Sequence, residues 1–272
     1  MNRLSFSSTF ALVLLAALIF WGGTVHSAEH NPAPANTTQL PRRPVLRVGV
    51  APLYPPLIFK RDNKITGMET DFALLLGKAL GSEVVLVEFP RTELISALTG
   101  GKIDIVMSGM TVTKGREVRA SFTDPYLKIG QVAMMRARDA SKYNSLASIR
   151  DCSAGVGVVR GTTGEAYVRA NFLKAAPIIT VNDVRDAPGI LSRERIDLFV
   201  YDLPAVAWIV SENEATLSGF WEPLNEEYLA WAVNHDDEAL IRAVNTVLAT
   251  WKKDGTLRQV VKKWLPYWKG AD

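Results

Sequence analysis

Residues 67–107 decide the fold and read GMETDFALLLGKALGSEVVLVEFPRTELISALTGGKIDIVM. Apolar residues recur at helical spacing after Gly67, and we expect Thr70 or Asp71 to cap the first turn of that helix. The stretch then predicts a strand (SEVVLVEF), a second helix (RTELISALTGG) and a second strand (KIDIVMSGM). Strands that alternate with helices of about a dozen residues predict βαβ units and a parallel sheet.

The alternation continues on both sides of this stretch. Before it, VLRVGV predicts a strand, followed by the turn-rich APLYPPLIF and a turn candidate at Lys60–Lys64. After it, a second α/β unit is predicted by SAGVGVV, GTTGEAYVRANFLKA, PIITV, DVRDAPGILSRER and IDLFVYD, and two helical stretches end the chain. Two such units joined by two extended connectors predict a cleft. Ligands of open α/β sheets bind beyond the carboxyl ends of the strands.

Composition indicates a globular protein, with 48% hydrophobic and 22% charged residues. There are 31 basic and 28 acidic residues, and no basic run is interleaved with aromatics, so we expect no nucleic-acid partner. Cys152 is the single cysteine, which excludes a disulfide within the chain, and we expect it to be buried and structural. The three histidines are scattered, so neither a metal site nor a cofactor is predicted.

The N-terminal residues predict export. An apolar run from Phe10 to Trp21 follows Arg3 and precedes the small residues Ser27 and Ala28, which predicts a cleaved signal peptide over residues 1–28. The run is shorter than the roughly 20 residues that a membrane-spanning helix needs. Residues 29–44 are predicted to be a flexible leader. No cysteine near the cleavage site offers a lipid attachment point, so we expect a freely diffusing periplasmic protein.

Polar groups follow the predicted strand KIDIVM. The loop contains Ser108, Gly109, Met110 and Thr111, and Arg116 follows one short turn later. The planar guanidinium fork suits a carboxylate, so a carboxylate ligand is the natural inference. The alternative is a solvated surface arginine without a partner.

Two further strand ends carry candidate groups. Thr162 and Thr163 open a helix whose free N–H groups favour an anion, although they also suit an ordinary helix cap. Asp202 ends the strand IDLFVY, where its carboxylate either receives an ammonium group or caps the helix LPAVAWIV.

From Val45 to Trp268 the chain resembles the family 3 extracellular solute-binding proteins, the polar amino acid receptors of ABC transporters. The resemblance is carried, in the family's order, by LRVGVAPLYPPLIF, ITGMETDFALLLGKALG, ELISALTGGKIDIVMSGMTVTKGRE, SFTDPY, GVVRGTTGEAY, RIDLFVYD and DGTLRQVVKKW. It implies a two-lobed type II periplasmic-binding fold, α/β in class, in which each lobe is a mostly parallel sheet flanked by helices. Lobe 1 would comprise residues 45–132 and 229–272, and lobe 2 residues 133–228.

The resemblance also implies a function. Such a protein is expected to be a monomer that captures a small amino acid-like ligand by hinge closure and delivers it to a membrane ABC permease. Arg116 stands where the family's arginine holds the ligand α-carboxylate, and Asp202 where its aspartate takes the α-ammonium. Tyr54 matches an aromatic that packs over the ligand, although it equally suits a core position. The candidate ligand-binding residues are Tyr54, Arg91, Ser108, Gly109, Met110, Thr111, Arg116, Thr162, Thr163 and Asp202.

Two departures from the family's pattern bear on the ligand. Arg91 occupies a position that is often large and apolar or aromatic, which indicates a ligand with an acidic or strongly polar side chain, unless Arg91 points to solvent. Ala51 lies where receptors for basic amino acids resemble one another in having an acid, so a basic ligand is not expected.

Two other functions stay open at this point. Exported dehydratases that act on prephenate or arogenate resemble the same family, but their chemistry needs a general acid. The resemblance implies a glutamate one helical turn after the aspartate, and this chain has Ala205 there, with Glu165 as another acid. We therefore expect no enzyme and no catalytic residue. The third possibility is a ligand-sensing module.

Overall fold

A computed structural model describes residues 43–268. The predicted signal peptide, residues 1–28, lies outside the described residues, as does the predicted leader except for its last two residues. No helix within residues 43–268 is long and apolar enough to cross a membrane.

The first of two five-stranded sheets is built from both ends of the described chain. Its strands, in spatial order, are β5 (Glu83–Glu88), β1 (Val45–Val50), β6 (Ile105–Val106), β15 (Ala232–Val233) and β7 (Ser121–Phe122). Strand β1 pairs in parallel with β5 and β6, as the βαβ pattern predicts. Strand β15 pairs antiparallel with β6 and β7, because it is not reached through the crossover helix that parallel pairing requires.

The second sheet is built from the middle of the chain. Its strands, in spatial order, are β11 (Ile178–Val181), β10 (Val156–Val159), β12 (Leu198–Asp202), β9 (Gln131–Arg136) and β13 (Leu217–Phe220). Strand β10 pairs in parallel with β11 and β12, whereas β9 runs antiparallel to β12 and β13. The two sheets are the cores of two lobes.

Two short antiparallel strands connect the sheets. They are β8 (Leu127–Ile129) and β14 (Glu227–Leu229), and each continues within a few residues into a strand of one of the sheets. These are the two extended connectors that the sequence predicts. Alternate residues of β14 point inward, so Glu227 and Leu229 are buried while Tyr228 is exposed.

A small third sheet replaces the turn-rich segment expected after the first strand. It contains β2 (Leu53–Tyr54), β3 (Ile58–Arg61) and β4 (Lys64–Thr66), with Asp62 and Asn63 at positive φ in the turn. The turn expected at Lys60–Lys64 is therefore a hairpin turn. The proline content hid the strands β2 and β3, because Pro52, Pro55 and Pro56 lie immediately before and after β2 and in neither strand.

Nine helices lie in the described part of the chain. They are α1 (Met68–Leu80), α2 (Leu94–Thr99), α3 (Lys114–Glu117), α4 (Leu146–Arg150), α5 (Thr163–Asn171), α6 (Ala187–Ser192), α7 (Leu203–Glu212), α8 (Glu238–Asp254) and α9 (Thr256–Trp264).

The expected cap of α1 is wrong. Gly67 occupies the N-cap position and no side chain caps the helix. Thr70 lies within the helix, and the Asp71 carboxylate instead accepts hydrogen bonds from Lys263 and from the indole of Trp264 on α9. A tertiary contact between α1 and α9 therefore takes the carboxylate that local sequence assigned to the cap.

Candidate functional site

A cavity lies between the two sheets at the carboxyl ends of β6, β10 and β12. Its volume is about 320 Å³, which includes the space at its opening to solvent. This is where open α/β sheets bind ligands. The residues that line it are Arg91, Leu94, Ser108, Gly109, Met110, Thr111, Arg116, Thr162, Thr163, Tyr201 and Asp202. Nine of the ten residues named from the sequence thus come together at one cavity, and Tyr54 is the tenth.

The loop after β6 is held from below by a buried carboxylate. Glu69, 1% exposed, accepts hydrogen bonds from Gly109 N (2.5 Å), the Tyr126 hydroxyl (2.6 Å) and the Trp231 indole (2.8 Å). Burial raises the pKa of Glu69, and these three donors oppose the rise. Glu69 therefore fixes the loop to the ends of both connectors.

Gly109 is required by its surroundings. Its φ is +61°, and a Cβ atom there would lie 2.7 Å from the Tyr54 ring. Any side chain would be strained at this φ and would push the loop away from Tyr54. The neighbouring Ser108 hydroxyl accepts a hydrogen bond from Ala51 N at 2.9 Å, which ties the loop to the end of β1.

Arg116 is not the solvated surface arginine of the alternative interpretation. It lies in the short helix α3, is half-buried and donates from Nη1 to the Thr111 carbonyl at 2.7 Å. Burial lowers the pKa of Arg116, and the Arg91 guanidinium lowers it further, while Asp202 and Glu227 raise it. The guanidinium therefore lies in a partly dehydrated site beside a second cation, where an anionic ligand group would be stabilised.

Asp202 holds the N-cap position of α7, but its side chain does not cap the helix. Its carboxylate is 5% exposed and accepts hydrogen bonds from the Tyr54 hydroxyl (2.6 Å) and from Gln131 Nε2 (2.5 Å). Burial raises the pKa of Asp202 to about 6, and the charge of Glu227 adds to this effect against the two hydrogen bonds. The carboxylate would thus be stabilised by a cation.

Tyr54 lies beneath the cavity and not on its wall. Its side chain is fully buried, with its ring 5.4 Å from that of Tyr201 in an edge-to-face contact. It therefore occupies the core position of the alternative interpretation. Its hydroxyl nevertheless reaches from the first lobe to Asp202 at the end of the second sheet.

Arg91 and Thr162 use their polar groups differently. The Arg91 guanidinium lies 5.6 Å from the centre of the Tyr54 ring, and its Nη2 atom is buried without a hydrogen-bond partner among the described residues. The Thr162 hydroxyl caps α5 by accepting from Glu165 N and donates to the Val159 carbonyl at 2.7 Å. Thr162 thus acts as the helix cap of the alternative interpretation. Arg91, in contrast, has one N–H donor that makes no hydrogen bond to the described residues.

Sequence reasoning missed Glu69, Gln131, Tyr201 and Glu227. Glu227 contacts Thr111 and Thr163 at the cavity, and Gln131 contacts Asp202. The alternation in Glu227-Tyr228-Leu229 was the one available indication, because it places the acid on the same face as a buried leucine. Nothing local distinguishes Gln131 from a solvated glutamine.

No group of three or more His, Cys, Asp or Glu side chains within residues 43–268 is placed to hold a metal ion. Cys152 is half-buried, not fully buried as expected, because it lies in a short irregular segment after α4. Burial raises the pKa of its thiol, which disfavours the reactive thiolate.

Comparison with known proteins gives a consistent result. The family model of bacterial extracellular solute-binding proteins, family 3, matches residues 46–267. The L-cystine-binding protein TcyJ of Escherichia coli (strain K12) is 30% identical over 231 residues, which are 85% of this chain and 84% of the relative. The cyclohexadienyl dehydratase of Pseudomonas aeruginosa (strain PAO1) is 27% identical over 226 residues, 82% of this chain and 83% of the relative.

A solved structure extends the similarity to the fold. An ancestral arginine-binding protein bound to arginine superimposes with a TM-score of 0.76 at 31% identity, covering 82% of this chain and 99% of that one. The two-lobed type II periplasmic-binding fold expected from the sequence is confirmed.

The contact between Tyr54 and Asp202 generates the first prediction. Tyr54→Phe removes a donor that favours the ionised carboxylate, so the pKa of Asp202 should rise further above about 6. A pH titration of the aspartate carboxyl ¹³C resonances measures the shift. The control is Tyr143→Phe, which removes the hydroxyl of a buried tyrosine outside the cavity lining. An Asp202 pKa that Tyr54→Phe leaves unchanged would contradict the assigned contact.

Proposed function

The chain belongs to the bacterial extracellular solute-binding proteins, family 3, and on that premise we propose that it binds one small amino acid-like ligand in the cavity and delivers it to an ABC permease. One observation carries the proposal. Arg116 and Asp202 place opposite charges at a single cavity, one in the first lobe and one at the end of the second sheet. An α-amino acid presents a carboxylate and an ammonium group that match this pair.

Hinge closure follows from the position of the two groups. The ligand carboxylate pairs with Arg116 and the ligand ammonium with Asp202, so both ion pairs form only when the lobes meet. A ligand shifts a conformational equilibrium by the difference between its affinities for the two states. The bridging ligand therefore drives closure around the connectors β8 and β14.

The free donor of Arg91 favours an acidic or strongly polar ligand side chain. Its buried Nη2 atom has no hydrogen-bond partner among the described residues, and an acceptor on the ligand would satisfy it. Ala51 is buried and supplies no acid to pair with a basic side chain. The names of the relatives include receptors for cystine and arginine, so both compounds belong in a ligand screen.

The dehydratase alternative lacks the glutamate that the resemblance implies one helical turn after Asp202. Ala205 lies fully buried in α7 where the enzyme's glutamate is expected. The Glu165 carboxylate accepts from Gly161 N at 2.8 Å and pairs with Arg169, and these partners lower its pKa against the effect of burial. A general acid needs a raised pKa, so Glu165 is unsuited to the role.

The remaining parts of the proposal concern the oligomeric state, the cellular location and the division of the chain into lobes. We propose a monomer that is exported to the periplasm through a cleaved signal peptide. We also place lobe 1 at residues 45–132 and 229–272 and lobe 2 at residues 133–228. The division of the strands between the two sheets supports this two-part assignment, and strand β9 of the second sheet begins at Gln131, two residues before the proposed start of lobe 2.

A thermal-shift screen of purified protein, unfolded and refolded to remove carried-over ligand, tests the proposed function. The panel contains the amino acids, cystine, and small carboxylates including prephenate. A ligand at a hundred times its Kd should raise the free energy of unfolding by about 2.7 kcal/mol. Arg116→Ala and Asp202→Ala should each weaken the affinity of the best amino acid about thirtyfold or more.

The control for Arg116→Ala is Arg119→Ala, an exposed arginine one turn later that donates to the Ser96 hydroxyl. Affinity unchanged in the Arg116 and Asp202 variants would show that these residues do not hold the ligand. A response to prephenate with none to any amino acid would favour the dehydratase.

A second prediction concerns the choice of ligand. Arg91→Leu should reduce the preference for acidic over neutral amino acids, because it removes the unpartnered guanidinium donor from the cavity. Isothermal titration calorimetry of L-glutamate and L-glutamine measures the ratio of affinities. Arg138→Leu, which removes an arginine outside the cavity lining, is the control. An unchanged ratio in Arg91→Leu would exclude Arg91 as the selective group.

A further inference from the structure

The carboxylate of Glu227 joins the two lobes through hydrogen bonds from side chains of the protein itself. Its Oε2 atom accepts hydrogen bonds from the Thr111 hydroxyl at 2.9 Å and from the Thr163 hydroxyl at 2.8 Å. Thr111 belongs to the loop after β6 of the first sheet, and Thr163 begins α5 after β10 of the second sheet. One atom therefore receives a donor from each side of the cleft.

The carboxylate is held in place by residues that flank the connectors. Its Oε1 atom accepts from Asn225 Nδ2 at 2.9 Å, and Asn225 also bonds the backbone N–H and the side chain of Gln131. Gln131 in turn donates from Nε2 to Asp202. A continuous chain of hydrogen bonds thus runs from Thr111 through Glu227 and the connectors to Asp202.

This arrangement limits what the two threonines offer a ligand. A hydroxyl has one proton to donate, and both Thr111 and Thr163 give theirs to Glu227. Neither hydroxyl can then donate to a ligand carboxylate, and the Thr163 oxygen also accepts a hydrogen bond from Gln131 Nε2 at 3.4 Å. The hydroxyls act chiefly as contacts between the lobes.

Glu227 is suited to this role by its burial and charge. The residue is 8% exposed, and hydrogen bonds to an ionised acceptor are stronger than those between neutral groups. Its neighbour Glu226 is exposed and pairs with Lys128 and with the Tyr228 hydroxyl on the surface. Two adjacent glutamates therefore differ in that only Glu227 bridges the cleft.

We propose that Glu227 is a positioning residue that holds Thr111 and Thr163 at the separation of the closed cleft and so favours closure before ligand binds. The effect on affinity rests on the proposed function, whereas the effect on closure does not. A protein whose binding-competent state is more populated binds its ligand more tightly in proportion.

Small-angle X-ray scattering of refolded, ligand-free protein tests the proposal. Wild-type protein should fit the closed structure, and Glu227→Gln should increase the radius of gyration because a neutral amide is a weaker acceptor for the two hydroxyls. Glu226→Gln is the matched control and should scatter like the wild type. Thr163→Val removes one bridging donor from the opposite side and should also expand the protein, so the test survives if one variant fails to fold.

The proposal is overturned if ligand-free wild-type protein scatters as an open form, or if Glu227→Gln and Thr163→Val, folded by circular dichroism, both scatter like the wild type. Affinity gives a separate readout with L-glutamate as the probe, and Glu227→Gln should weaken it about tenfold. If L-glutamate binds no variant and not the wild type, the proposed ligand class fails while the scattering result still decides the role of Glu227.

Discussion

The candidate site is organised around the buried carboxylate of Asp202, whose hydrogen-bond donors among residues 43–268 are neutral groups. Asp202 ends the central strand β12 and accepts hydrogen bonds from Tyr54 of the first lobe and from Gln131, the first residue of β9. Burying an ionised carboxyl is costly unless it is paired, and here burial raises its pKa to about 6. A ligand ammonium would supply the missing charge. An ammonium group in contact with Asp202 would therefore stabilise the ionised form of the buried carboxylate.

The other charges of the cavity extend this argument. Arg91 and Arg116 lie close enough for the first to lower the pKa of the second. An anionic group between them would lessen the repulsion, and the Nη2 donor of Arg91 has no hydrogen-bond partner within residues 43–268. On the acidic side, Glu227 is already satisfied by two hydroxyls and an amide. Its charge therefore serves the contact between the lobes, while Asp202 remains available to the ligand.

The sequence predicted features that depend on neighbouring residues and missed those that depend on contacts between distant parts of the chain. The ends of the strands could be predicted from the local sequence pattern. Arg116, Asp202 and the loop 108–111 were named on that basis, and they line one cavity. The roles of residues whose partners lie far away in the sequence could not be predicted. Asp71 bonds α9 and leaves the cap of α1 empty, and Tyr54 is buried under the cavity. Glu227 and Gln131 gain importance only because the connectors bring them between the lobes.

Proton release on ligand binding tests the central claim most directly. Isothermal titration calorimetry of the strongest amino acid ligand, in buffers of different ionisation enthalpy, counts the protons released. Asp202 is partly protonated in the empty site below about pH 6 and should ionise when an ammonium group pairs with it. The account predicts release of more than about half a proton per ligand at about pH 5.5 and close to none at about pH 8. Binding without proton release at the lower pH would contradict the assignment of Asp202 as the partner of the ligand ammonium.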